Sequence, residues 1–319
     1  MNPAWEEAWN TAKRLKANLE SCILGKGREI ERLLVALFAG GHVLIEDVPG
    51  TGKTVLVKAL ACSIRGRFRR VQCNPDLLPT DVTGVSVFHP RDQTFVFRPG
   101  PVMANLLLVD EINRATTKTQ SALLEAMEER AVSVDGETYP LPEPFLLLAT
   151  QNPIEFEGTY PLPEAQLDRF LLRLRIGYPD VEAEKRMLRT HTVVHPVEAL
   201  EPVTDTETVT AMQRLVRDAH VDDAVADYIV SIVQATRRHP HLALGASPRA
   251  AMGLYTAAKA LAFLRGRDYV LPDDVKELAR DVLAHRLVLN ADARLDGVTA
   301  ESVVDAVLAN VRVPVRLEK

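Results

Sequence analysis

The first half of the chain alternates short apolar runs with segments of helical periodicity. The apolar runs are His42–Glu46, Phe68–Cys73, Leu106–Asp110, Phe145–Gln151 and Leu171–Ile176. Between the third and fourth runs, Thr117–Arg130 carries apolar residues at helical spacing. Three of the runs are almost uninterrupted hydrophobics, which is typical of strands buried on both faces of a parallel sheet. The alternation therefore predicts an α/β fold, a parallel sheet covered by helices.

Two hairpins interrupt this pattern. In the first, Val85–Phe88 and Thr94–Phe97 flank a turn with the sequence His-Pro-Arg-Asp. In the second, Val132–Val134 is followed by Asp135-Gly136, a strong signal for a two-residue turn, and then by Glu137–Tyr139. Both hairpins are predicted to be insertions into the α/β pattern.

After Tyr178-Pro179 the pattern becomes helical. The predicted helices are Val181–His191, Asp223–Arg238, Pro248–Arg265, Pro272–His285 and Ala300–Asn310. Good capping residues precede three of them, namely Asp180, Ser247 and Thr299. We therefore predict a boundary near residue 178, with an α/β core and its two hairpins in residues 1–178 and a helical domain in residues 179–319.

Composition and charge narrow the class of protein. The 319 residues are 47% hydrophobic and 25% charged, as expected for a globular protein of about two domains. The net charge of -5 gives no general attraction to nucleic acid or to an anionic membrane, and we interpret the basic run Arg65–Arg70 as a solvated connection.

The sequence starts without a signal-peptide pattern, and the apolar stretch Leu33–Ile45 is shorter than the ~18 residues of a membrane span. Cys22, Cys62 and Cys73 fit neither a zinc site nor a disulfide framework, so we expect a cytoplasmic protein.

The strongest chemical signal is a Gly-rich loop between the first apolar run and a helix that begins near Lys53. Backbone N–H groups of such a loop, together with the positive end of the helix, bind nucleotide phosphates. Lys53 adds a charge for the β- and γ-phosphates, and the Thr54 hydroxyl ligates Mg²⁺. The usual pattern has Gly where this chain has Asp47. The residues predicted to bind ATP here are Pro49, Gly50, Thr51, Gly52, Lys53, Thr54 and Val55.

Polar residues also follow two of the other apolar runs. Asp110 and Glu111 end a buried strand, at the edge where ligands bind in open α/β sheets. We predict that Asp110 holds Mg²⁺ and that Glu111 orients or deprotonates the attacking water. Asn152 offers an amide that positions this water, and a plain Asn-Pro turn is an equal alternative.

The loop with Lys53, the pair Asp110-Glu111 and the segment with Asn152 follow one another along the chain as the motifs of AAA+ ATPases do. More narrowly, they resemble those of the MoxR family. The resemblance runs from about Gly25 to Val275 and also rests on Ala149–Pro153, Leu162–Phe170 and Gly245–Ala250. It implies a P-loop core with a five-stranded parallel sheet flanked by helices, and an all-α C-terminal lid. It further implies hydrolysis of Mg²⁺–ATP by a homo-oligomer, expected to be a hexameric ring. MoxR relatives also tolerate Glu46-Asp47, so Asp47 in place of glycine is only weak evidence against a phosphate-binding loop.

The resemblance assigns catalytic roles beyond the loop. Asn152 matches the sensor 1 position, and Arg169 matches the arginine finger that reaches the ATP of a neighbouring subunit. An intrachain salt bridge with Asp168 or Glu164 is the alternative for Arg169, and Arg173 is a rival finger. Arg249 matches sensor 2 in the lid, from where a small rotation would bring it onto the phosphates.

Three structural segments take their assignments from the same resemblance. The first hairpin matches the helix-2 insert, and the second matches the pre-sensor-1 hairpin. Ile23 and Leu24 belong to a segment that packs on adenine.

At the family level, the expected role is remodelling of client proteins, including their maturation or metal-cofactor insertion. The expected partner is a separate protein with a von Willebrand factor A domain. Two alternatives remain, a nucleic-acid motor of the MCM-like clade and a magnesium-chelatase-like ATPase subunit. The acidic balance of the chain speaks against the motor, so nucleic acid is not an expected partner.

Overall fold

A computed structural model describes residues 3–47, 50–152, 158–190 and 196–314 of the chain. Its α-helices are, in chain order, α1 (Pro3–Cys22), α2 (Gly27–Ala39), α3 (Lys53–Ser63), α4 (Pro79–Thr83), α5 (Thr117–Glu129), α6 (Glu164–Leu167), α7 (Val181–Thr190), α8 (Thr206–Arg217), α9 (Asp223–Arg237), α10 (Pro248–Leu264), α11 (Pro272–Leu283), α12 (Ala291–Leu295) and α13 (Ala300–Asn310). Its strands are β1 (Val43–Glu46), β2 (Phe68–Gln72), β3 (Gly84–His89), β4 (Thr94–Pro99), β5 (Leu106–Asp110), β6 (Ala131–Val134), β7 (Glu137–Pro140), β8 (Leu146–Gln151), β9 (Leu172–Leu174), β10 (Leu242–Leu244) and β11 (Val288–Leu289). Short 3₁₀ helices cover Ile112–Arg114, Pro196–Ala199 and Ala284–Arg286.

The central feature is a five-stranded sheet with the order β2-β5-β8-β1-β9, in which every pairing is parallel. This sheet confirms the predicted fold class, and the predicted strands differ from the observed ones by one or two residues at their ends. Leu106 and Leu108 pack on one face of the sheet, while Leu107 and Val109 pack on the other. Burial on both faces explains why these strands appear as continuous hydrophobic runs. All five carboxyl ends meet at one edge, which we call the carboxyl edge; the opposite one is the amino edge.

Each face of the sheet has its own hydrophobic core. The first core joins the sheet to α1, α2 and α3 and to most of the C-terminal helices. Edge-to-face contacts of Phe263 with Trp5 (centroids 5.4 Å apart) and Phe38 (5.3 Å) connect α10 to α1 and α2. The second core contains α4, α5 and the inner side of both hairpins. The C-terminal helices thus share a core with the N-terminal ones, and the boundary near residue 178 stays a prediction.

Both predicted hairpins are present, as β3–β4 and β6–β7. Asp135 and Gly136 have φ angles of 52° and 85°, as a left-handed two-residue turn requires. The rings of Phe97 and Tyr139 stack with centroids 4.0 Å apart, so the two hairpins contact each other. The far side of the first hairpin exposes Phe88 and Phe95 to solvent.

The C-terminal region is mainly helical, as predicted. Side chains of Asp180, Ser247 and Thr299 each accept a backbone N–H near the start of a helix, which confirms these caps. His191, the predicted end of the first of these helices, lies outside the described residues. The lid predicted to be all-α also contains the antiparallel ladder β10–β11, whose strands are too short for a period-two pattern to reveal.

Three long helices, α1, α2 and α8, are not among the predicted elements. In α2 nearly every residue from Ile30 to Phe38 is buried, so the helix lacks the polar stripe by which an amphipathic helix is identified. It runs almost directly into β1, which produced one long apolar stretch in the sequence. No helix in the described part of the chain is long and apolar enough to cross a membrane.

His42 connects three elements at the amino edge. The backbone N–H of Leu147 donates to its Nδ1 (3.0 Å), and its Nε2 lies 3.2 Å from the carbonyl oxygen of Met127. This arrangement requires a neutral imidazole with its proton on Nε2. Complete burial, followed by the positive charge of Arg130, lowers the pKa of His42 to about 4.

This lowered pKa predicts a stability loss in acid. Between pH 6.5 and about 4, the unfolded chain binds a proton at His42 that the folded chain does not, so the free energy of unfolding falls as the pH falls. The loss attributable to His42 is about 3 kcal/mol. We expect His42→Gln, which keeps a donor and an acceptor but does not titrate, to lose less stability between pH 7 and pH 4. Urea unfolding of both proteins measures this, and equal losses would refute the prediction.

Candidate functional site

A cavity of about 360 Å³ opens at the carboxyl edge, between the ends of β1, β5 and β8 and the start of α3. Its lining residues are Asp47, Gly50, Thr51, Gly52, Lys53, Thr54, Val55, Arg70, Gln72, Asp110, Glu111, Thr150, Gln151 and Asn152. The fold therefore brings the predicted phosphate-binding residues together with both carboxylates and with Asn152. Pro49 lies outside the described residues.

The loop before α3 has the backbone that an anion site needs. Gly50 and Gly52 have φ angles of 84° and 85°, in the left-handed region that other residues rarely adopt. A Cβ on either would meet no atom within 4 Å, so the backbone conformation, and not lack of space, requires glycine. Gly52 is the N-cap of α3, whose positive end therefore faces the cavity. Lys53, in the first turn, donates to the carbonyl oxygen of Asp47 (3.3 Å).

Asp47 has a structural role of its own. Its Oδ2 accepts the backbone N–H of Gly177 (2.8 Å), and its side chain is largely buried. This bond ties the start of the loop to the segment that follows β9. A carboxylate in place of the usual glycine is thus accounted for by a contact that glycine could not make.

Asp110 and Glu111 are held together by Thr150, to which the sequence analysis assigned no role of its own. Thr150 donates its hydroxyl to Oδ1 of Asp110 (3.2 Å) and accepts the backbone N–H of Glu111 (2.9 Å). Glu111 adopts a left-handed conformation (φ 56°), which costs about 1–3 kcal/mol in a non-glycine residue and is frequent at active sites. The bond from Thr150 supports this conformation, and Arg114 lies 3.3 Å from the Glu111 carboxylate.

Arg70 is a second residue that the sequence interpretation missed. Its Nε donates to Oδ2 of Asp110 (2.6 Å), and its Nη2 donates to Gln72 (3.1 Å). The basic run Arg65–Arg70 is therefore not simply a solvated connection. Its last residues form β2, which lies beside β5 and directs Arg70 towards the cavity.

The residues of this cavity fit a magnesium nucleotide. Thr54 and Asp110 carry oxygen atoms of the type that Mg²⁺ binds, and Mg²⁺ in such sites usually binds one or two protein oxygens together with phosphate oxygens. Cys73 lies beside the two carboxylates, and burial, then the charges of Asp110 and Glu111, raise the pKa of its thiol to about 12. It therefore stays protonated and unreactive.

The segment predicted to pack on adenine lies at the same edge. Ile23 and Leu24 do not line the phosphate cavity. The neighbouring Lys26 donates to the carbonyl oxygens of Ile176 (2.5 Å) and Tyr178 (2.9 Å), which flank the residue that binds Asp47. The segment is thus beside the loop, and its contact with adenine stays a prediction.

Arg169 and Arg249 lie elsewhere, at the amino edge. Both form ion pairs with the carboxylate of Glu128, in which Nη1 of Arg169 is 3.0 Å from Oε2. Glu128 is in the last turn of α5, and Arg130, just after this helix, donates to the carbonyl oxygen of Gly40 ahead of β1. The length of β1, about 13 Å at ~3.3 Å per residue, separates this edge from the cavity.

This placement changes two expectations. The ion-pair partner of Arg169 is Glu128, and not Asp168 or Glu164. A small lid rotation would not bring Arg249 onto the phosphates of its own chain, because the sheet lies between them.

Arg173, the rival finger, has intrachain partners. It pairs with Glu46 (3.2 Å) and Glu301 (2.5 Å), and its side chain is 14% exposed. Arg169 also has intrachain partners, Glu128 and the carbonyl oxygen of Leu124 (3.2 Å), but its side chain is 32% exposed. This greater exposure favours Arg169 as the residue able to reach another molecule.

Comparisons with known proteins identify the family domains and the relatives of this chain. Residues 42–172 match the family described as ATPase family associated with various cellular activities (AAA), and residues 234–307 match the AAA lid domain. The chain is 46% identical over 314 residues to Chaperone MoxR1 of Mycobacterium tuberculosis, a match that covers 96% of this chain and 83% of that protein. It is 53% identical to the uncharacterized protein YeaC of Bacillus subtilis (94% and 93% covered) and 32% identical to Protein MoxR of Methylorubrum extorquens (89% of each).

A solved structure has the same fold. The crystal structure of a protein assigned as an ATPase from Cytophaga hutchinsonii matches this chain with a TM-score of 0.91 and 38% sequence identity. The match covers 98% of this chain and 97% of that one.

The pair between Arg70 and Asp110 predicts a competition with metal. A Mg²⁺ ion on Asp110 would compete with the Arg70 guanidinium for the same carboxylate. This guanidinium is 49% exposed, so its pair with Asp110 is worth about 0.2–1 kcal/mol. We expect Arg70→Gln to lower the Mg²⁺ concentration needed for half-maximal ATP binding by about two- to five-fold.

Arg69→Gln is the matched control, because Arg69 donates only to the carbonyl oxygen of Phe68 on its own strand. A magnesium titration of nucleotide binding compares the two variants. An unchanged or higher requirement in Arg70→Gln would contradict the competition.

Proposed function

The chain belongs to the MoxR family of AAA+ ATPases, and we propose that it hydrolyses Mg²⁺–ATP only within a homo-oligomeric ring, expected to have six subunits, in which each subunit completes the site of its neighbour. One observation carries the proposal. Arg169 and Arg249 lie at the amino edge, while the cavity with Lys53 and Glu111 opens at the carboxyl edge. A single chain therefore does not bring both halves of the site together.

Within one subunit, the cavity supplies binding and activation of water. Lys53 and the loop from Gly50 bind the phosphates, while Thr54 and Asp110 hold Mg²⁺, which neutralises charge on the phosphate oxygens when bound. Glu111 accepts a proton from the attacking water or orients it, and Asn152 positions the same water. The Thr150 hydroxyl holds the Asp110 carboxylate and the backbone of Glu111 in one arrangement.

The neighbouring subunit supplies positive charge. In the isolated chain, Glu128 holds Arg169 and Arg249 side by side. At a ring interface, the γ-phosphate of the adjacent subunit would compete with this carboxylate for both guanidinium groups. Arg249 would then act in trans together with Arg169, and not as a sensor over its own nucleotide. A finger arginine contributes about 10³–10⁵ to the rate in related phosphoryl-transfer enzymes.

We infer that the energy of hydrolysis serves the remodelling or maturation of client proteins, including metal-cofactor insertion, with a von Willebrand factor A domain protein as partner. A relative named a chaperone supports this role. The exposed apolar side chains of the first hairpin, among them Phe88, Phe95 and Val96, suit a polypeptide better than a nucleic-acid backbone. The net charge of -5 also favours a protein client, and we place the activity in the cytoplasm.

Replacement of the water-activating carboxylate tests the chemistry within one subunit. We expect Glu111→Gln to bind ATP with near-normal affinity while turnover falls by about 10²–10⁴-fold, because the amide does not accept the proton. Nucleotide titration and steady-state kinetics measure the two effects. Glu125→Gln, on the exposed side of α5, is the control. Normal turnover in Glu111→Gln would remove this residue from the site.

Mixed oligomers test the division between subunits. We expect Arg169→Ala and Lys53→Ala each to be inactive alone, because the first lacks the finger and the second lacks its own phosphate site. Mixed together, they form interfaces in which an intact cavity meets an intact finger, and ATP turnover returns. Arg249→Ala should behave like Arg169→Ala. If mixing restores no activity in either case, the two arginines do not act across an interface.

A further inference from the structure

Arg286, immediately after the buried His285, lies between the segment that carries Arg169 and the C-terminal helices. Its side chain is 3% exposed. Nε donates to Oδ1 of Asp168 (2.9 Å), and Nη2 donates to the carbonyl oxygens of Asp168 (3.1 Å) and Phe170 (2.8 Å). Nη1 donates to the carbonyl oxygen of Val282 (2.6 Å). Arg286 thus contacts the residues on both sides of Arg169 without contacting Arg169 itself.

The same carboxylate also reaches the helix that carries Arg249. Oδ2 of Asp168 accepts the hydroxyl of Ser247 (2.8 Å), and Ser247 is the N-cap of α10. Arg249 is in the first turn of this helix, two residues further on. Asp168 therefore connects the two segments, and Arg286 holds Asp168 in place.

The cluster of Asp168, His285 and Arg286 contains a single pair of opposite charges, and Arg286 and His285 are buried. Burial lowers the pKa of Arg286 to about 10, against the opposing charge of Asp168, so the guanidinium stays protonated at neutral pH. His285 Nε2 contacts the carbonyl oxygen of Phe170 (2.9 Å), and burial lowers the pKa of this histidine well below its usual range. A neutral His285 adds no charge, which leaves Arg286 as the counter-ion of Asp168.

Stability alone is a weak reason for such a pair. A buried ion pair is often no more stabilising than well-packed hydrophobic residues of the same volume, because both charges lose their hydration. Its directional bonds, however, define one relative position for the groups that it connects. Here those groups are the backbone around Arg169 and the start of the helix with Arg249.

We propose that Arg286 is a positioning residue for catalysis in trans: through Asp168 and Ser247 it holds Arg169 and Arg249 as one unit directed at the nucleotide of the neighbouring subunit. The inference rests on the proposed function, since it needs the two arginines to act across an interface. Arg286 itself contacts no nucleotide. Misplacement of a catalytic group by ~1 Å can lower a rate by about 10²-fold, which is the scale of effect that loss of Arg286 should have.

The decisive variant is Arg286→Gln. We expect its KM for ATP to stay within about two-fold of wild type, because its own cavity is intact. Its kcat should fall by about 10²-fold, because Arg169 and Arg249 are displaced. Mixed with Lys53→Ala, it should recover activity as Arg169→Ala does. A general loss of folding would not be rescued in this way.

Arg280→Gln is the matched control. Arg280 lies on α11, shortly before Arg286 in the sequence, and forms an exposed pair with Asp305. Its replacement should leave turnover unchanged. Thermal unfolding of each variant establishes that it is folded.

The combined results distinguish failure of the positioning role of Arg286 from failure of the proposed function in a ring. If Arg169→Ala is rescued by mixing while Arg286→Gln keeps normal kcat or is not rescued, the positioning role is wrong and the ring proposal stands. If Arg169→Ala is not rescued either, the proposed function itself fails.

If Arg286→Gln does not fold, Arg286→Lys replaces it. Lysine keeps the charge beside Asp168 but cannot also reach the carbonyl oxygens of Phe170 and Val282 with a planar fork. The same loss of kcat, with rescue by Lys53→Ala, is expected. Wild-type kcat in Arg286→Lys would overturn the inference.

Discussion

Parallel pairing of the five central strands is the constraint on which the rest of the structure depends. Because both faces of the sheet are buried, polar chemistry is confined to its two edges. The carboxyl edge collects the loop before α3, both carboxylates and Asn152 around one cavity. The amino edge collects the two arginines. The separation of these halves therefore follows from strand direction, and the proposed ring would reunite them.

Helix α5 spans the distance between the edges. It begins shortly after Glu111 and ends beside Glu128, a length of about 18 Å for its 13 residues. Its first turn thus follows shortly after Glu111, the carboxylate proposed to activate water, and its last turn holds Arg169 and Arg249. The second hairpin follows directly, and its stacked contact with the first brings both hairpins next to the same helix. Helix α5 therefore extends from the segment after Glu111 to the two arginines and the second hairpin.

Much of the fold was predictable because its signals are local. Continuous apolar runs identified the strands, and Asp180, Ser247 and Thr299 marked helix starts by short-range capping. Gly50, Gly52 and Lys53 could be assigned from spacing alone. Arg70, Thr150 and Arg286 could not, since their partners are 40 or more positions away in the sequence and only strand order or helix packing brings them together. The motif that contains Arg249 was visible in the sequence, but the sequence did not show at which edge of the sheet Arg249 lies.

The shared carboxylate of Glu128 has a consequence for assembly. One negative charge cannot neutralise both Arg169 and Arg249, so the amino edge retains an excess of one positive charge there. Around the cavity, Asp47, Asp110 and Glu111 outnumber Lys53 and Arg70 by one negative charge, to which a nucleotide adds more. In the proposed ring these unlike edges attract each other, and dissolved ions weaken the attraction over a Debye length of about 8 Å at physiological ionic strength. Salt concentration would thus control the enzyme through the association of its subunits, independently of any change within one of them.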